Sequence, residues 1–503
     1  MREGVNRFNL VDEPWIPVAD TGRVSLRRLF SDKDLYALGG NTVQKIALLK
    51  LLQAIAQAAI TPKDASHWQS LGVEGVCHHV LDYLEAHYDC FWLYGEKPFL
   101  QMPAIAQAEL KSFGTVLPEV STGNTTVLTQ SQCEKILDDA DKALLIVVQM
   151  SLALGGKKTD NSVILTPGYR GKTNDKGKPS TGKPGSALAF MGLLHSFCIG
   201  TNLAETVWLN LFTEEDIQGL THYPSGLGKA PWEHMPDGED CAVARELKGS
   251  IIGRLVPVGR FCLLAEKGLH YSEGISHGDY KEGFYDPSVL INKKGAELKI
   301  TWADPSRRPW RELPALLAFL DTQKGAVYEC EQLRISIEKA RRATALFGIW
   351  SGGMKVRSNA GEQYLSGSDD TVESLFWLES AALGEVWFAH FSQEMAELEK
   401  LAHRLYGCVS SWCRELKLEP KEIAAQATQL FWQFCQCDVQ PLLDGCSDPD
   451  SRIKLRKRFA SCMYRSFDHF CAHDTARQME AWAKARPNMA DYLAIALPDK
   501  EKS

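Results

Sequence analysis

The pattern of apolar and polar positions divides the chain into two kinds of sequence. Up to about residue 375, helical and strand-like stretches alternate irregularly. Beyond it only helical periodicity survives. Phe391, Met395, Leu398, Ala402 and Leu405 recur at steps of four and three, which makes one apolar stripe along a helix. Further helical patterns cover about 421–436, 449–472 and 474–485, the last broken by Pro487. Short connections between these predict an up-down four-helix bundle over 376–503. In the first part, Trp15-Ile16-Pro17-Val18 and the turn residues Asp20-Thr21-Gly22 predict a hairpin within 9–30. Asn41 or Thr42 is placed to cap a helix reaching about Ala59, with Ile46, Leu49, Leu52, Ile55 and Ala56 at helical spacing. Phe91 to Tyr94 reads as a strand, and about 138–154 as a helix closed by Gly155-Gly156-Lys157-Lys158. A helix near 186–200 and strands near 205–211 and 250–265 follow. No βαβ rhythm and no internal repeat is visible, so residues 1–375 predict an α+β globular domain ahead of the bundle.

Composition narrows the function. At 503 residues and 45% apolar content the chain can bury a large core. Its net charge of −7, from 56 basic and 63 acidic residues, confines any nucleic-acid contact to local patches or to a basic face within a larger complex. The 14 cysteines include no CxxC pair and read as small buried residues of a reduced cytoplasmic protein. Residues 1–9 hold no apolar signal core, and the most apolar run, Ala143 to Leu154, is too short to span a bilayer, so no membrane role is expected.

Catalytic patterns are missing. The chain holds no phosphate-binding G-x-x-x-x-G-K-[ST] and no H-E-x-x-H. His78 and His79 are neighbours on a predicted helix, where adjacent side chains do not converge on one metal. The pairs Asp138-Asp139 and Asp369-Asp370 precede helical runs and suit helix N-termini; a two-metal nuclease would need carboxylates converging from separate elements. Neither a metal nor a cofactor is expected.

Three segments fit nucleic acid better. Gly168 to Lys183 carries Arg170, Lys172, Lys176, Lys178 and Lys183 against Asp175, with glycines that let backbone approach a phosphate. It reads either as a DNA contact or as a solvated loop. The helix from Ser451 to Arg465 carries Arg452, Lys454, Arg456, Lys457, Arg458 and Arg465 without an acid. It reads as a track for displaced single-stranded DNA or as a solvated bundle face. Ser351 to Asp370 combines Gly352-Gly353 with Lys355, Arg357, Asn359, Gln363 and Tyr364. A tight glycine-rich hairpin there could offer an amide to minor-groove acceptors and wedge a base step apart; an ordinary polar hairpin is the other reading.

Trp15 to Val18, the block Phe91 to Gln101 with Pro98-Phe99-x-Gln101, the Gly352-Gly353 segment with Gln363, and the helical C-terminus together resemble the CasA family, the large subunit of type I-E CRISPR Cascade. The similarity runs in order over nearly the whole chain. It implies a non-enzymatic, RNA-guided DNA-binding function, in which guide pairing reads the target and protein reads the short protospacer-adjacent motif (PAM) from the minor groove. It implies partners: guide crRNA, the other Cascade subunits, double-stranded target DNA with its displaced strand, and a helicase–nuclease recruited in trans. The implied glycine loop is Gly155, Gly156, Lys157 and Lys158. The implied lysine lies in His277 to Phe284, where Lys281 is the only one, and the implied wedge is Gln363, with Asn359 or Lys355 as other candidates for the tip. Asn124, Val127, Leu128 and Thr129 match a loop contacting the guide end. Arg170, Lys172, Arg452, Arg456 and Lys457 would face the displaced strand and the DNA backbone. The cysteine cluster of some members is absent; only Cys262 lies near the lysine segment. A metal-dependent nuclease, a scaffold without DNA contact, or the large subunit of another type I subtype are the competing readings.

Overall fold

The structure is a computed structural model that describes residues 6–116, 136–151, 162–167, 172–173, 179–180, 192–278, 280–295, 297–321, 327–359, 362–364 and 370–494. The chain forms two compact units, residues 1–309 with 327–375, and 310–326 with 376–503.

The first unit is built around the helix Thr42–Ala59. Asn41 caps it reciprocally: its side chain accepts from Gln44 N at 2.9 Å, and its own N–H donates to Gln44 Oε1 at 3.0 Å. The helix is buried on almost every side, so its polar residues need internal partners. Gln57 exchanges two hydrogen bonds with the backbone of Phe212, both 2.9 Å, and Lys50 forms a buried ion pair with Asp286. Around this helix lie small sheets rather than one large one. The largest strands share a three-stranded sheet in which Leu346–Met354 lies between His195–Ile199 and Thr371–Glu379. Its ladder runs from Gly348 opposite Ile199 to Gly352 opposite His195.

Several local expectations give way to tertiary context. The stretch near 186–200 contains the strand His195–Ile199 rather than a helix. The stretch near 205–211 is the helix Leu203–Asn210, started by the Asn202 side chain accepting from Glu205 N at 2.8 Å. Burial of seven of its eight residues hides the helical period behind continuous apolarity. The region 250–265 holds a short helix, Ile252–Leu255, and then the strand Arg260–Leu264. The N-terminal hairpin pairs Ile16–Val18 with Gly22–Val24, and Ser25 then caps the helix Leu26–Ser31. Thr371–Glu379 is a strand of alternating burial where helix was expected after Asp370.

The second unit is helical, with Glu385–Glu415, Pro420–Gln436, Pro449–Phe470 and Ala476–Ala485 as its longer members. All five residues of the predicted Phe391–Leu405 stripe are buried. The helices Val439–Gly445 and Ala490–Ala494 are short additions. The segment after Pro309 joins this unit: the Arg311 guanidinium lies 3.9 Å from the Trp432 ring centroid and reaches Glu399 at 2.7 Å.

Candidate nucleic-acid interface

In the segment 351–370, residues 351–354 are buried and a two-stranded hairpin comes after them. Gly352 and Gly353 are not in the hairpin, as the composition suggested, but in the sheet strand Leu346–Met354. They are there for packing: a Cβ at Gly353 would meet the Leu193 carbonyl oxygen at 2.5 Å and Ala303 Cβ at 2.8 Å. The hairpin follows, pairing Arg357–Asn359 with Glu362–Tyr364. Asn359 opposite Glu362 is the last pair of the register. Gln363 is paired with Ser358, one step further from the tip than Asn359.

The hairpin's base is fixed. Lys355 N donates to Asp370 O at 2.8 Å. Gly192, at φ +89°, lies so close that a Cβ would come within 3.2 Å of Val356 N. The Lys355 ammonium is half exposed and 3.6 Å from Asp304. Burial pushes the Asp304 carboxyl up, but the Ser306 hydroxyl and amide and the Lys355 charge outweigh it and hold it below the usual carboxylate range.

The lysine-bearing segment is anchored at its start. His277 is buried, with Nε2 2.7 Å from Pro257 O and Nδ1 3.0 Å from Arg254. Burial first, and the Arg254 charge next, hold it well below the usual histidine pKa, so Nδ1 accepts from Arg254 while Nε2–H donates to Pro257 O. Lys281 then stands out on the single turn Tyr280–Glu282, 59% exposed and 4.0 Å from Glu297.

Glu297 and Asp304 flank one short strand, Lys299–Ile300. They are seven positions apart in the chain, so their Cα atoms are at most about 24 Å apart. Lys281 and Lys355 are thus each paired with a carboxylate of the same chain segment. Sequence reasoning did not identify Glu297 or Asp304. Their pairing joins residues 16 and 51 positions apart in the chain, and no local pattern announces it.

Other expected positions fall outside the described residues: Gly155, Gly156, Lys157 and Lys158, the guide-end candidates Asn124, Val127, Leu128 and Thr129, and Arg170. Lys172 belongs to a two-residue strand in which it pairs with Ser180.

On the Pro449–Phe470 helix the cations separate by phase. Lys454, Lys457, Arg458 and Arg465 are exposed, and Arg452 is half-buried. Arg456 is not on that face. It is 2% exposed, with Nε and Nη2 bonded to the Glu394 carboxylate at 2.7–3.2 Å and Nη1 donating to Tyr492 O at 3.0 Å. Its guanidinium is committed to the core and corrects the expectation of a DNA-facing Arg456: at 100° per residue, position 456 points inward with Leu455 and Phe459. Arg458 is ion-paired to Asp438, and Arg465 lies over Phe434 at 4.2 Å.

The Asp138-Asp139 pair is structural, and Asp369 lies outside the described residues. Asp138 binds Arg23 at 2.5 Å and accepts from Asp141 N, and Asp139 opens the helix Asp139–Ser151 while accepting from Tyr94 at 2.7 Å. Among the described residues, no group of three His, Cys, Asp or Glu side chains is gathered as a metal would need.

The sequence profile of the family described as CRISPR-associated protein Cse1 matches residues 9–484. A curated relative, the CRISPR-associated protein CasA/Cse1 of Thermus thermophilus, is 30% identical over 238 residues, 44% of this chain and 43% of the relative. The aligned stretch therefore spans less than half the length of that relative. The fold is similar to the crystal structure of Thermobifida fusca Cse1, with a TM-score of 0.76 at 20% identity over 97% of this chain and 99% of that one. It is also similar to a chain of a structure described as a CRISPR RNA-guided surveillance complex, with a TM-score of 0.64 at 13% identity over 95% of this chain and 98% of that one.

Proposed function

The chain belongs to the CRISPR-associated protein Cse1 family, and from that membership we propose that it is the large subunit of a type I-E, RNA-guided CRISPR surveillance complex in the cytoplasm. It works with the guide crRNA and the other Cascade subunits. In this reading the protein reads the PAM of double-stranded DNA through the minor groove, opens the adjacent base pairs so that guide pairing can begin, and serves as a platform for a helicase–nuclease recruited in trans. It performs no bond-breaking step itself.

The observation that carries the reading is the 357–364 hairpin on its clamped base. The root of the first strand is fixed by the Lys355 N–H donating to Asp370 O and by the close approach of Gly192. A wedge must keep its shape while a base step yields, and a two-stranded ribbon alone is too weak in water to do so. The base supplies the missing rigidity. Lys355 and Lys281, each paired with a carboxylate of the segment 297–304, supply cations that draw phosphates without reading sequence. Direct readout falls to amides and backbone donors that meet minor-groove acceptors, which makes Asn359 and Gln363 the candidates, with Arg357 beside them.

The test is a photo-crosslinking amino acid substituted for Asn359 in the assembled complex. Cross-links to the target duplex beside the PAM are expected, and only when the PAM is present. Cross-links exclusively to protein, or to DNA regardless of the PAM, contradict the reading.

A further inference from the structure

Trp302 differs from the other tryptophans. It is 48% exposed, whereas Trp310, eight positions on, is 1% exposed. Among the described residues it is the only tryptophan among the exposed large hydrophobics. No hydrogen bond, ring stack or cation–π contact holds its indole among the described residues. Exposure here does not come from a loose backbone. Trp302 forms an antiparallel bridge with Leu193, Leu194 N donates to Thr301 O at 3.1 Å, and Ala303 N donates to Gly192 O at 2.7 Å. The same Gly192 packs against the root of the hairpin at Met354 and Val356. The indole is therefore presented from a fixed strand, one strand removed from the hairpin's base.

Its neighbours say what it would take. Two residues after it, Asp304 holds Lys355; five before it, Glu297 holds Lys281. Residues 293–308 carry five cations (Lys293, Lys294, Lys299, Arg307 and Arg308) against the two acids Glu297 and Asp304. An exposed aromatic face on a segment rich in cations matches a nucleobase with its phosphates better than an apolar protein surface, because bases stack on indole whatever their identity and the phosphates are drawn to the charges.

We propose that Trp302 is a stacking platform for a nucleobase separated from its partner beside the 357–364 hairpin, the cations of the segment 293–308 drawing the flanking phosphates. A base held in this way cannot re-pair, so Trp302 would keep open what the hairpin opens. The proposal rests on the reading of that hairpin as the duplex-opening element.

The experiment uses the assembled complex and a target duplex with 2-aminopurine at the first base pair beyond the PAM. Permanganate reactivity of neighbouring thymines scores opening independently. With the parent protein the fluorescence rise is expected to stay small, because the freed base is stacked. With Trp302→Ala the rise is several-fold larger at equal opening, and Trp302→Phe restores most of the quenching. Equal fluorescence in parent and Trp302→Ala, with normal permanganate opening, overturns the platform and leaves the hairpin reading intact. Absence of permanganate reactivity with the parent protein overturns the hairpin reading itself. Loss of companion subunits from the Trp302→Ala complex, with fluorescence unchanged, would make Trp302 a protein contact and also overturn the platform.

Discussion

The Pro449–Phe470 helix and the flank around residues 297–308 both present cations, and they do so by different physics. On the helix, a fixed rotation per residue decides which cation meets water. Arg456 turns inward to Glu394, while Lys457, next in sequence, is exposed. On the flank there is no such period. Each lysine is placed by a carboxylate reached through the tertiary fold, Lys281 by Glu297 and Lys355 by Asp304. A run of basic residues is therefore not a basic surface until its phase is known. A surface without a run can still be basic when distant segments meet.

The largest expected effect tests the inward half of the helix. Glu394→Ala leaves the Arg456 guanidinium buried without its carboxylate. It should destabilise the protein by about 3–5 kcal/mol in denaturant titrations. Loss of less than 1 kcal/mol would mean that Arg456 reaches water after all. Next is the root of the hairpin. Gly353→Ala forces a Cβ against the Leu193 carbonyl and should cost up to about 3 kcal/mol. It should also slow opening of duplex targets more than binding of single-stranded ones.

The first unit has an arginine–glutamate pair of its own, Arg260 opposite Glu273 in the ladder of Arg260–Leu264 with Gly268–Glu273. Burial pushes the Glu273 carboxyl up to about 7, the Arg260 charge opposing this only in part. A folded pKa above the unfolded value means that the native state holds the proton more tightly. The stabilisation is then complete below about pH 4.5 and is lost as pH rises through 7. Relative to Glu273→Gln, the parent should lose about 2 kcal/mol between pH 5 and 7.5. Parallel stability curves for the two proteins would contradict this. The smallest effect tests the outward half of the helix. Lys454→Gln with Lys457→Gln should leave stability within about 0.5 kcal/mol. It should reduce the slope of log affinity against log salt by about 1.4 for single-stranded DNA. An unchanged slope assigns this stripe to solvent.

These contrasts also explain what the sequence could disclose. The capped helix Thr42–Ala59 and the stripe from Phe391 to Leu405 were legible because caps and periods are local. The helix Leu203–Asn210 was misread as a strand because burial on nearly every side erases the polar positions that reveal a period. Gly352 and Gly353 looked like turn residues, and only the neighbouring backbone of Leu193 and the side chain of Ala303 explain them. At the candidate site, Lys281, Lys355, Asn359 and Gln363 could be named from residue type and order. Glu297, Asp304 and Trp302 could not, because their significance depends on strands that meet only in the fold.

The central claim is that the 357–364 hairpin opens the duplex. The most direct measurement compares how fast the assembled complex engages a fully paired target and one already unpaired beside the PAM, with Gln363 intact and as Gln363→Ala. The substitution is predicted to slow engagement of the paired target at least tenfold and to leave the pre-opened target nearly unchanged. Equal slowing on both targets, or no slowing on either, would contradict it.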